Sequence, residues 1–130
     1  MGRVFALIMD RELRLLLKLT RNFPKIKGSG VLANLIKAFY NRKKRTPIFS
    51  DILYFKMELD PAECIDGGIL FYPQLYDYRE ISFLRSHLAN GDIFLDIGAN
   101  IGFYTLAVSK MVGDNGRVVS VEADAYNYRK

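Results

Sequence analysis

Ile93-Phe94-Leu95-Asp96-Ile97-Gly98-Ala99-Asn100-Ile101-Gly102-Phe103-Tyr104-Thr105 decides the fold of this chain. An apolar run ends in an aspartate, two glycines follow four residues apart, and an amphipathic pattern starts at once. That order predicts a buried strand, a tight turn and the first turn of a helix. Leu106, Ala107, Val108 and Met111 continue the helix, and Val112-Gly113-Asp114-Asn115-Gly116 stops it. Arg117 to Glu122 is β-branched and apolar, which predicts a second strand buried on both faces. Strand, helix and strand in that order make a βαβ unit, expected to be parallel and right-handed. A further helix is expected from Asp124 onward. In an open α/β sheet a nucleotide-type ligand lies beyond the carboxyl ends of such strands.

Each residue of the turn has a physical task available. Gly98 lets the backbone leave the strand in a conformation that a side chain resists. Gly102 permits close approach of helix, strand or ligand. Amides at the helix N-terminus favour a carboxylate or phosphate. Glu122, 24 residues after Gly98, is placed to accept hydrogen bonds from ribose hydroxyls. A dinucleotide fingerprint requires Gly-x-Gly-x-x-Gly. Asn100 stands where the second glycine would let pyrophosphate approach, so a nicotinamide dinucleotide is disfavoured. S-adenosylmethionine, an amino acid joined to an adenosine, fits better, with Asp96 facing its cationic amino group. The plainer account is a turn whose glycines serve geometry alone.

Asp96-Ile97-Gly98-Ala99-Asn100-Ile101-Gly102-Phe103-Tyr104-Thr105 also closely resembles the first motif of the FkbM-type methyltransferases. The resemblance extends upstream through Phe55–Asp60, the turn to Phe71, Tyr76–Leu84 and Gly91-Asp92, over roughly residues 53–125. It implies the N-terminal part of a Rossmann-like class I methyltransferase fold, preceded by a β-hairpin and a basic helical extension. It further implies S-adenosylmethionine as cofactor and methylation of a hydroxyl on a sugar or other metabolite. By resemblance, Asp96, Gly98, Asn100 and Gly102 hold the methionine end and Glu122 holds the ribose. The family carries prolines after the acidic residue, whereas Ala123-Asp124-Ala125 follows Glu122, which leaves adenine less firmly placed than ribose. Such a sheet needs more parallel strands than the two found before Lys130. The expectation is therefore a truncated chain that keeps the cofactor turn and has little or no transferase activity alone. No residue stands out as the catalytic base, and no metal site is expected.

Upstream, Leu53, Phe55, Met57 and Leu59 alternate with polar residues across Asp51–Asp60, which predicts a half-buried strand ended by Pro61. Gly67-Gly68 predicts a turn into a returning strand, Ile69-Leu70-Phe71-Tyr72. Tyr72, Tyr76 and Tyr78 sit in the connector that follows, either covering the core or lining a pocket. Arg79–Ala89 is expected to be a helix, with His87 at its end as a surface residue. Domain limits are expected at residues 1–50 and 51–130.

The net charge of +5 conceals a division. Residues 1–45 hold 12 lysines and arginines against 2 acidic residues, and residues 46–130 hold 7 against 12. A helix is expected over residues 3–21, with Arg11, Arg14, Lys18 and Arg21 on one face. Such a face can lie on an anionic membrane or partner, although cations simply held in water are the favoured account. A second helix is expected over Val31–Tyr40, running into Arg42-Lys43-Lys44-Arg45. No aromatic residues interleave that basic run, so it is weak as a nucleic-acid feature. Cys64 is the sole cysteine, which excludes an internal disulfide. The apolar run Val4–Met9 is too short for a membrane span, and a cytoplasmic location is expected.

Overall fold

The computed structural model describes residues 11–22 and 47–129. The second basic helix, the run Arg42–Arg45 and the first turns of the N-terminal helix lie outside the described residues. The chain divides into two compact units, Met1–Tyr76 and Asp77–Lys130. The limit expected between residues 50 and 51 instead falls within a strand, as follows.

In the first unit, helix α1 spans Arg11–Arg21, strands β1 and β2 span Ile48–Ile52 and Phe55–Leu59, and helix α2 spans Cys64–Phe71. The strands form an antiparallel hairpin in which Ile48 pairs with Leu59 and Ile52 with Phe55. Alternation buries Phe55, Met57 and Leu59 on one face. The single strand expected over residues 51–60 is thus broken at Leu53-Tyr54. Leu53 makes the turn at φ +52° and is exposed, out of the buried row that its spacing suggested. No glycine or asparagine marks this turn, so the alternation on either side reads as continuous.

The returning strand expected at Ile69–Tyr72 is instead the end of α2. Gly67 and Gly68 each lower helix propensity by about 1 kcal/mol relative to alanine, which favours the turn reading locally. Burial overrides it: Ile69, Leu70 and Phe71 are all fully buried. The first turn of α2 is fastened to the end of β2, where the buried Asp66 carboxylate accepts the Asp60 amide at 2.9 Å.

Arg21 joins three pieces of this unit. Its Nε and Nη2 donate to the Leu70 carbonyl at 3.1 and 2.9 Å. Nη1 donates to the Asp51 carbonyl at 3.0 Å, and Nη2 also reaches Ser50 Oγ at 2.8 Å. A planar fork with several donors suits this task; an ammonium does not. Burial lowers the Arg21 pKa from its ordinary value, and the Asp51 charge opposes that shift. Leu13, Leu17 and Thr20 occupy the same buried side of α1.

The second unit contains helix α3 over Tyr78–His87, strand β3 over Ile93–Ile97, helix α4 over Phe103–Val112, strand β4 over Arg117–Val121 and a short helix α5 over Ala125–Tyr128. β3 and β4 are parallel, with Asp96 opposite Ser120 and Ile97 opposite Val121. α4 packs on both strands and on α3, and buries Phe103, Ala107, Val108 and Val112. Asp124 caps α5, its Oδ1 accepting the Tyr126 and Asn127 amides at 2.9 Å. β4 is not buried on both faces. Val119 and Val121, like Ile93, Leu95 and Ile97, are exposed, because α4 covers only the opposite side of the sheet. No helix among the described residues is long and apolar enough to cross a membrane.

Two substitutions test the first unit by chemical denaturation. Arg21→Ala should lower stability by about 1–2 kcal/mol, since it removes charged donors from the part-buried Leu70 carbonyl and from Asp51 and Ser50, and Arg21→Lys should restore little of it. The Tyr72 hydroxyl is buried without a hydrogen-bond partner among the described residues. Tyr72→Phe should therefore be neutral or stabilising by up to about 1 kcal/mol.

Candidate cofactor site

The turn between β3 and α4 is built from left-handed residues at alternate positions. Gly98 has φ +79°, Asn100 +51° and Gly102 +82°. Asparagine is among the few residues with a side chain that enter this region readily. Asn100 therefore has a backbone reason to be present, beyond its standing in place of a dinucleotide glycine.

The end of β4 holds this turn in shape. The Val121 carbonyl accepts the amides of Gly98 at 2.8 Å and Ala99 at 3.1 Å. Glu122 Oε2 accepts the Asn100 amide at 2.6 Å, while its Oε1 accepts the Asp124 amide at 2.8 Å. The Gly102 amide bonds to the Ala99 carbonyl at 2.8 Å. The sequence suggested amides open to a ligand at this corner. Those of Gly98, Ala99, Asn100 and Gly102, in the turn that precedes the helix, are bonded within the protein.

Asp96 lies near the end of β3, buried against α4. Its Oδ2 accepts the Thr105 hydroxyl at 2.5 Å, and Thr105 Oγ1 lies 2.8 Å from Ser120 Oγ on the neighbouring strand. This chain of hydroxyls orients the carboxylate and was not anticipated from the sequence. The alignment of Asp96 with Ser120 across the ladder, and the place of Thr105 in the first turn of α4, contain the clue. Asp96 and Glu122 thus stand at the carboxyl ends of adjacent parallel strands, either side of the glycine turn.

A Cβ built on Gly98 would meet no atom within 4 Å, so the backbone there faces open space. Open backbone flanked by two carboxylates suits a ligand with an ammonium and a pair of vicinal hydroxyls, as S-adenosylmethionine has. Asp96 and Glu122 would be the residues to hold it.

A second feature lies nearby in the same unit. Tyr104 donates from its hydroxyl to Asp77 Oδ2 at 2.9 Å. Asp77 itself adopts φ +43° at the start of α3, so this bond ties a strained residue to α4. Arg79, Glu80, Phe83, Leu84 and Tyr104 line an open groove of about 530 Å³. Of the three connector tyrosines, Tyr72 is buried, Tyr76 packs beside Gly68, and Tyr78 is exposed with Arg79 Nε donating to its hydroxyl at 3.0 Å. His87 is exposed as expected, its ring stacked on Phe83 and Nδ1 2.8 Å from the Phe83 carbonyl. Among the described residues, no three His, Cys, Asp or Glu side chains gather as a metal site.

Residues 75–127 match the model of the family protein-L-isoaspartate(D-aspartate) O-methyltransferase. A protein-L-isoaspartate O-methyltransferase of Caenorhabditis elegans is 40% identical over 42 residues, which are 32% of this chain and 19% of that protein. The chain thus spans about a fifth of the length of that curated relative. No solved structure matches. The strand, turn and helix pattern is part of a Rossmann-like methyltransferase fold, and S-adenosylmethionine is the cofactor that goes with it. Both likenesses support the methyltransferase class without reaching the FkbM-type family.

The turn's geometry gives a direct test by thermal denaturation. Gly98→Ala meets no steric obstacle, so its cost should be the left-handed strain alone, about 1–2 kcal/mol. Asn100→Val should cost at least as much, because a β-branched residue tolerates that region less well, whereas Asn100→Gly should be nearly silent.

Proposed function

We propose that this chain carries the cofactor-binding part of an S-adenosylmethionine-dependent O-methyltransferase whose acceptor is a hydroxyl on a sugar or other metabolite. The observation that carries the proposal is the turn Gly98–Gly102, open over Gly98 and held at Asn100 by the Glu122 carboxylate. Glu122 in this reading accepts the ribose hydroxyls, with its Asn100 contact fixing the carboxylate beforehand. Asp96, oriented by Thr105, takes the ammonium of the methionine portion. Gly98 lets the ligand lie against the backbone. Bound S-adenosylmethionine supplies an electrophilic methyl group on a sulfonium. The protein's share of such a transfer is chiefly orientation and removal of the hydroxyl proton.

The hydroxyl acceptor rests on the likeness of Asp96–Thr105 to the FkbM-type motif. A second acceptor class, an isoaspartyl carboxylate in a protein, is favoured by the family match over residues 75–127. The products differ chemically. Where label passes from methyl-labelled S-adenosylmethionine to an acceptor, a methyl ether survives mild alkali and a methyl ester releases methanol. Alkali-stable label on glycan acceptors is expected; alkali-labile label on isoaspartyl peptides would move the assignment to the second class.

Cofactor binding is tested separately by titration calorimetry. S-adenosylmethionine should bind the chain, and Glu122→Ala should weaken it by about 1–3 kcal/mol through loss of a hydrogen-bonded acceptor. Unchanged affinity in that variant would remove Glu122 from the ribose.

A further inference from the structure

The outer side of α1 is not a plain solvated face. Leu13, Leu17 and Thr20 point inward and are almost completely buried. Arg21, the last of the four cations that share a face in the sequence, is also turned toward the protein and bonded to Ser50, Asp51 and Leu70. What remains outside is a pair of short rows. Leu15 and Leu19 lie one turn apart and are 60% and 57% exposed. Arg14 and Lys18 lie one turn apart beside them and are exposed as well. Single exposed leucines are ordinary, but two in line with two cations alongside make a narrow amphipathic strip.

We propose that this strip seats α1 on an anionic lipid surface, with Leu15 and Leu19 entering the headgroup boundary and Arg14 and Lys18 meeting lipid phosphates. Interfacial helices combine apolar insertion with attraction to anionic headgroups in this way. The charge of the N-terminal sequence favours the same partner. Residues 1–45 carry 12 lysines and arginines against 2 acidic residues, including the run Arg42-Lys43-Lys44-Arg45. Clustered cations near a membrane contact add to binding within a Debye length of the surface. The leucines distinguish lipid from nucleic acid, since a phosphate backbone offers aliphatic side chains nothing to pack against. The inward half of the helix is already fastened by Arg21, so the strip is presented without loss of packing. This proposal stands apart from methyl transfer and uses no residue of the cofactor turn.

Vesicle co-sedimentation of the 130-residue chain tests it, comparing phosphatidylcholine vesicles with and without phosphatidylserine. Binding is expected only with phosphatidylserine present, and should fall as salt rises. Leu15→Gln/Leu19→Gln leaves the charge unchanged and alters only exposed positions; it should reduce the bound fraction at least about fivefold. Arg14→Gln/Lys18→Gln should reduce binding and flatten its salt dependence. Circular dichroism of both double variants should match the parent. Full binding by the leucine variant would overturn the proposal, because the cations would then suffice. So would absence of binding to anionic vesicles, or equal binding to neutral ones.

Discussion

Glu122 holds the Asn100 amide, and Val121 holds those of Gly98 and Ala99. The second unit depends on this junction. It closes the two parallel strands at their carboxyl ends, and it imposes on the turn a backbone path that passes through the left-handed region three times in five residues. With that path set, α4 begins at Phe103 and lays Ala107 and Val108 against the sheet. The Asp96 carboxylate then meets Thr105. The site is therefore a product of strand pairing as much as of the glycines, and β4 contributes to it before any ligand does.

The strand–turn–helix–strand path around this junction was legible in the residues themselves. Glycines at positions 98 and 102, an aspartate ending one apolar run and a glutamate ending the next fit few other arrangements. What the residues did not reveal was how far the protein satisfies its own turn. Whether a neighbouring carbonyl takes the amides of such a turn depends on register, which here places Ile97 beside Val121. The first unit was harder to read for related reasons. Leu53 turns a hairpin without a turn residue, and Gly67-Gly68 sits within a helix because Ile69, Leu70 and Phe71 are buried there. In the second of these places tertiary burial outweighs local propensity. Arg21 looked like one of four surface cations. Its turn toward the protein follows from carbonyls of α2 and β1, separated from it by 49 and 30 positions in sequence.

The resemblance of Asp96–Thr105 to the FkbM-type motif implies a different acceptor from the one named by the family that matches residues 75–127, while the cofactor is common to both readings. That is the expected division of labour in such folds, where the first strand–turn–helix unit serves the cofactor and chemistry at the acceptor is a matter of other surfaces. Tyr104 and Asp77 connect α4 to the start of α3 beside the same turn, so the helix that leaves the site is tied to the one that precedes it.

The half-covered sheet has a consequence for the order in which the second unit is assembled. β3, α4 and β4 make their mutual contacts within residues 93–121, so loop closure between them is short and they can form early. Once formed, they present Ile93, Leu95, Ile97, Val119 and Val121 as a continuous aliphatic surface on the far side. That surface is a template: whatever packs on it later gains apolar burial from strands already held in line by α4.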